Sequence, residues 1–227
     1  MSTSVLIERN DPYCLPTVDA AALLYDAPWQ RFGVVGDSLS AGVGDPTPGY
    51  AEGGWADRVA EVLRLVNPKL VFLNTSERGA TAGRTVRGQF ERMDEFGPDL
   101  LHLPCGANDI VRREPDFGEI EQTMRAMYEL AARTGARLTT FTLGRAYEVA
   151  AFADWRERVL AMNEITRRVA ADYDAVVVDM WAHPVNERAN LLSADRIHFS
   201  SSGQAVLAAE VVKRLAHLLA DRKGDCG

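Results

Sequence analysis

Short apolar runs alternate with stretches in which apolar residues recur every three or four positions. Phe32-Gly33-Val34-Val35, Leu70-Val71-Phe72-Leu73 and Leu100-Leu101-His102-Leu103 are continuous apolar runs of strand length, as are Leu138 to Leu143 and Ala175 to Val178. Such runs mark strands buried on both faces, the habit of parallel sheets. Between them Trp55, Val59, Val62, Leu63 and Val66 recur at helical spacing. So do Trp155, Val159, Met162, Thr166 and Val169, and then Leu207, Val211, Leu215 and Leu218. Residues 117–134 predict a further helix stopped by Gly135, and Asp19 to Tyr25 a short one. Strands alternating with helices imply right-handed crossovers, hence an α/β fold with a parallel sheet covered on both faces. Residues 1–30, punctuated by Pro12, Pro16 and Pro28, read as an N-terminal extension, and residues 31–227 as the domain proper.

In such sheets ligands bind beyond the carboxyl ends of the strands, so the loops that follow strands are where chemistry is expected. The loop after the first strand reads Gly36-Asp37-Ser38-Leu39-Ser40. The second is followed by Asn74 to Thr81, including Gly79, and the third by Gly106-Ala107-Asn108-Asp109. Taken singly, each is an ordinary turn composition. The fourth element, Asp195-Arg196-Ile197-His198, precedes the last helix, where Ser201 and Gln204 fit a capping box. A carboxylate three residues before a histidine can hold the imidazole by Nδ1 and leave Nε2 free to act as a base.

These four blocks, in this order and over residues 32 to 205, resemble the SGNH (GDSL-type) hydrolase family. The resemblance implies a three-layer α/β/α sandwich around a central, mostly parallel five-stranded sheet of flavodoxin-like type. It implies Ser38 as nucleophile, His198 as base and Asp195 as its orienting acid. It also implies an oxyanion hole from the backbone N–H groups of Ser38 and Gly79 and the side-chain amide of Asn108. The expected activity is hydrolysis of a carboxylic ester, O-deacetylation included, through an acyl-enzyme, with no metal and no cofactor. Acyl transfer from the same acyl-serine is the alternative, and a non-catalytic binding module fits poorly with the intact set. Asp37 and Asp109 read as loop-holding carboxylates.

The remaining composition narrows the partners. The 227 residues carry a net charge of -7, which disfavours nucleic acid, and the resemblance implies a small-molecule ester as partner. No apolar run approaches the ~18 residues of a membrane span. Cys14, Cys105 and Cys226 lack metal or disulfide spacing and read as free thiols, which fits a cytoplasmic location. The position two after Ser38 is Ser40, so the Gly-x-Ser-x-Gly elbow is absent, as are dinucleotide and Walker motifs. His102 falls in a buried strand and reads as a core residue. Tyr50, in the Gly42–Gly54 loop, and the Arg112–Arg113 pair are weaker candidates for substrate contact. With no lid-like insertion, short acyl groups are expected.

Overall fold

In a computed structural model, which describes residues 7–224, a five-stranded sheet lies between two groups of helices. In chain order the elements are α1 (Thr17–Leu23), β1 (Arg31–Val34), α2 (Trp55–Val66), β2 (Val71–Asn74), α3 (Ala82–Phe96) and β3 (Leu100–His102). They continue with α4 (Phe117–Ala132), β4 (Arg137–Phe141), α5 (Trp155–Asp172), β5 (Val176–Val178) and α6 (Ser201–Gly224). The strand order is β2-β1-β3-β4-β5, and every pairing is parallel. Helices α1, α2 and α6 pack on one another, and α3, α4 and α5 pack in sequence, giving the expected three layers.

The burial pattern explains why these residues form these elements. In α2 the stripe Trp55, Val59, Val62 and Leu63 is buried, and in α5 the stripe Trp155, Val159, Met162, Thr166 and Val169. In α6 the buried stripe is Leu207, Val211, Leu215 and Leu219, with Leu218 only half-buried. Each β3 residue is buried, whereas the edge strand β2 exposes Val71. His102 is a core residue: its Nδ1 lies 3.1 Å from Thr139 Oγ1 and its ring stacks on Phe141. Ala20, Leu24 and Trp29 belong to the same apolar cluster as the sheet, so the N-terminal segment packs onto the domain.

Helix α3 has no counterpart in the apolar pattern. It carries Gly83 and Gly88, and its buried face includes Thr85 and Gln89 beside Phe90 and Met93, so hydrophobic spacing does not announce it. The start of α6 also differs from expectation. Ser200 holds the capping position, its Oγ accepting from Gly203 N–H at 3.4 Å, while Gln204 does not reach back as in a capping box. Instead Gln204 accepts from Trp55 N–H at 2.9 Å and donates to Val43 O at 3.3 Å, tying the helix to the loop after β1. Cys14 and Cys105 are free thiols, and Cys226 lies outside the described residues. Among the described residues no helix is long and apolar enough to cross a membrane.

Candidate active site

The sheet reverses its winding between β1 and β3, and a crevice forms outside the strand ends at such a switch point. Ser38 follows β1 and Asn108 follows β3, so topology alone brings them to the same crevice. Gly36 turns the chain out of β1 at φ 143°, a value that L side chains rarely adopt. A buried amide holds that turn: Gln89 Oε1 accepts from Gly36 N–H at 2.7 Å, and Gln89 Nε2 donates to Gly36 O at 2.8 Å. Asp37 then ties the loop from inside, its Oδ1 accepting from Leu39 N–H at 2.9 Å and Ser40 N–H at 3.4 Å. Ser38 is left at the loop's apex, 9% exposed.

From the far end of the chain, the segment before α6 meets it. Asp195 Oδ1 accepts from the backbone N–H groups of Ile197 at 2.9 Å and His198 at 3.0 Å, which closes a tight turn with Arg196 at φ 60°. Its other oxygen lies 2.6 Å from His198 Nδ1, and His198 Nε2 lies 2.8 Å from Ser38 Oγ. An ionised carboxylate only accepts, so Nδ1 carries the proton and Nε2 accepts from the Ser38 hydroxyl. Burial works to raise the Asp195 carboxyl, but the hydrogen bonds from the His198 ring and from the two N–H groups outweigh it and hold the pKa below its ordinary value. The Asp195 side chain is 46% exposed and that of His198 20%, so the arrangement opens to solvent on the acid's side.

The three expected oxyanion donors differ. The backbone N–H groups of Ser38 and Gly79 have no acceptor among the described residues, and Gly79 sits at φ 71°. Asn108 is committed: its Nδ2 donates to Asp37 Oδ2 at 3.2 Å and to Ala80 O at 3.1 Å. Both partners are pure acceptors, which fixes the orientation of the amide. Asp109 accepts from Ala82 N–H at the start of α3, and burial lifts its pKa to about 6. Burial likewise raises the Asp37 carboxyl, against the hydrogen bonds that stabilise its charge.

Several residues outside the motifs shape this site. Gln89 is not singled out by the sequence and Gln204 reads there as part of a capping box, yet they hold the Ser38 loop from either side. Tyr147, in the loop after β4, lines two cavities beside the Asp195–His198 segment. No spacing signals Gln89 or Tyr147, and the Ser201–Gln204 spacing signals a helix cap rather than this tie. Tyr50 donates to Asp11 Oδ2 at 2.7 Å and lines neither cavity beside the Asp195–His198 segment, so its hydroxyl is committed elsewhere. Arg112 and Arg113 are exposed, and their carbonyls accept from buried Arg158.

Comparison with known proteins bears on the same residues. A model of the GDSL-like lipase/acylhydrolase family matches residues 34–206. No curated protein matches the sequence significantly. Among solved structures, the esterase EstA from Pseudoalteromonas sp. is similar at 17% identity and TM-score 0.67, over 84% of this chain and 99% of that one. A lipase/acylhydrolase from Enterococcus faecalis is similar at 19% identity and TM-score 0.66, over 83% and 96%. The acetylxylan esterase Axe2 from Geobacillus stearothermophilus is similar at 21% identity and TM-score 0.64, over 82% and 93%. These likenesses establish a shared fold.

Proposed function

The chain belongs to the GDSL-like lipase/acylhydrolase family and is an ester-hydrolysing enzyme, and from that premise we propose that it cleaves short-chain carboxylic esters through an acyl-enzyme on Ser38. The observation that carries this reading is the chain of hydrogen bonds from Asp195 through His198 to Ser38, 2.6 and 2.8 Å long. A serine hydroxyl is a weak nucleophile until a neighbouring base removes its proton. His198 Nε2 takes the Ser38 proton as Oγ bonds to the acyl carbon, and then delivers it to the leaving alcohol as the C–O bond breaks. Asp195 keeps the imidazole in the required tautomer and stabilises its cation. A base placed this way contributes roughly 10²–10⁴-fold. In the second half His198 takes a proton from water, hydroxide equivalent adds to the acyl carbon, and Ser38 departs with the proton.

The tetrahedral oxyanion meets the free N–H groups of Ser38 and Gly79 first. Asn108 joins by turning one amide hydrogen from Ala80 O to the oxyanion, a tightening of the kind that active sites undergo on binding. One feature favours short acyl groups. An apolar cleft of about 10 Å³ lies between Leu39 and Ile197, the neighbours of Ser38 and His198, and room on that scale suits one water-sized or methyl-sized group. The methyl group of an acetyl ester, as in O-deacetylation, matches the cleft in size. A cytoplasmic location fits the thiols at Cys14 and Cys105.

A series of 4-nitrophenyl esters from acetyl to palmitoyl tests the reading, with Ser38→Ala as control. The acetyl ester is expected to turn over fastest, and Ser38→Ala to lose nearly all turnover. Undiminished hydrolysis by Ser38→Ala would overturn the nucleophile, and a preference for palmitoyl the short-acyl assignment.

A further inference from the structure

A groove of about 520 Å³ runs from the catalytic segment along the start of α5, within the size range of small-molecule sites. Its floor is aromatic and apolar, from Tyr147, Phe152, Trp155 and Trp181. Its charged residues are Arg145, Arg156, Arg196 and Glu148. Arg145 is paired with Glu187, and Arg196 with Glu148 at 3.0 Å. Arg156 forms no ion pair among the described residues and lies over the Trp181 ring, 5.2 Å from its centroid. On a chain of net charge -7 the groove therefore holds an unbalanced positive charge above an apolar floor.

Tyr147 joins this groove to the small cleft next to the catalytic segment. It lines both the groove and the small cleft beside Leu39 and Ile197. The residue is only 8% exposed, and its backbone oxygen accepts from Trp155 Nε1 at 2.9 Å. Its hydroxyl, by contrast, makes no hydrogen bond to any described residue. Burial, and then the charges of Asp37, Cys105 and Asp195, raise its pKa, so it stays a protonated donor through the neutral range. The ring is largely buried, but the hydroxyl is not among the fully buried atoms, so it is an accessible donor without a protein partner on the groove wall.

Building on the acyl-enzyme reading above, we propose that the groove holds the alcohol part of the ester, that this part carries an anionic group recognised by Arg156, and that the Tyr147 hydroxyl donates a hydrogen bond to it beside the scissile bond. The acyl group goes to the cleft, which is too small for the larger partner.

The test compares two chromogenic acetates, 3-carboxy-4-nitrophenyl acetate and neutral 4-nitrophenyl acetate, by their ratio of kcat/KM. The proposal expects the anionic ester to be favoured, and Arg156→Gln to lower the ratio about tenfold, the worth of one charge-assisted contact. Tyr147→Phe is expected to raise KM for both esters about three- to tenfold, the worth of one neutral hydrogen bond, with little change in kcat. A ratio that Arg156→Gln leaves unmoved overturns the proposal. So does a preference for an anion on the acyl side, read as the 4-nitrophenyl monoester of adipate outrunning the hexanoate. Labelling of Ser38 by a fluorophosphonate separates the two readings: if it persists while the ratio fails, only the groove assignment falls.

Discussion

Replacing Asn108 with alanine is expected to cost less than removal of a dedicated oxyanion donor, and the structure says by how much. In the resting enzyme both Nδ2 hydrogens are committed, to Asp37 Oδ2 at 3.2 Å and Ala80 O at 3.1 Å. Serving the oxyanion means exchanging the bond to Ala80 O, a neutral contact worth about 0.5–1.5 kcal/mol net, for one to an anion worth about 1.5–3 kcal/mol. The gain specific to the transition state is the difference, about 1–1.5 kcal/mol, or roughly five- to fifteenfold in rate. A donor with no competing partner typically gives about 10²–10³-fold. Steady-state kinetics of Asn108→Ala on 4-nitrophenyl acetate should therefore show kcat down about tenfold with KM little altered, in a variant shown to be folded by its melting transition. An unchanged kcat would remove Asn108 from the oxyanion hole. A loss above about 300-fold would refute the exchange argument, because it would mean that the amide is already free when the substrate arrives.

Two further substitutions address the supports of the site. Gln89→Leu leaves Gly36 N–H without a partner in the core, while Gly36 O keeps its bond from Glu77 N–H. The expected cost is about 2 kcal/mol, a Tm drop of roughly 4–8 °C, with activity falling in the still-folded protein because the nucleophile turn is released. Asp11→Ala removes an acceptor from Arg188 at 2.5 and 2.8 Å, from Tyr50 Oη–H at 2.7 Å and from Tyr13 N–H at 3.0 Å. It should cost about 3 kcal/mol, the lower end for a broken buried pair, seen as a Tm drop of roughly 6–12 °C. Burial works to raise the Asp11 carboxyl, but those donors win and depress its pKa below the ordinary 3.8. The folded state therefore binds fewer protons, so this stabilisation is present above about pH 4 and is lost as pH falls further. Thermal scans should show the gap between wild type and Asp11→Ala narrowing below that pH, and a constant gap would contradict the assignment.

The sequence exposed those features that rest on local spacing or on strand order. The Asp195–His198 turn is legible because three residues separate the acid from the base it holds. The meeting of Ser38 with Asn108 is legible because loops at the strand ends of a doubly wound sheet must converge. What stayed hidden depends on contacts between distant polar residues. Helix α3 buries Thr85 and Gln89 in place of an apolar stripe, so periodicity does not reveal it. Gln89 goes unmarked and Gln204 reads as a capping-box residue until Gly36, Trp55 and Val43 are seen to be their partners. The commitment of both Asn108 hydrogens, and the idle hydroxyl of Tyr147, follow from where other chain segments end up, which no residue pattern encodes.

The central claim, that His198 activates Ser38, is tested most directly by intact mass and peptide mapping after exposure to a fluorophosphonate. The account predicts a single adduct, on Ser38, formed rapidly in the wild type, far more slowly in His198→Ala, and not at all in Ser38→Ala. An adduct on another residue, or equal labelling rates in wild type and His198→Ala, would contradict it.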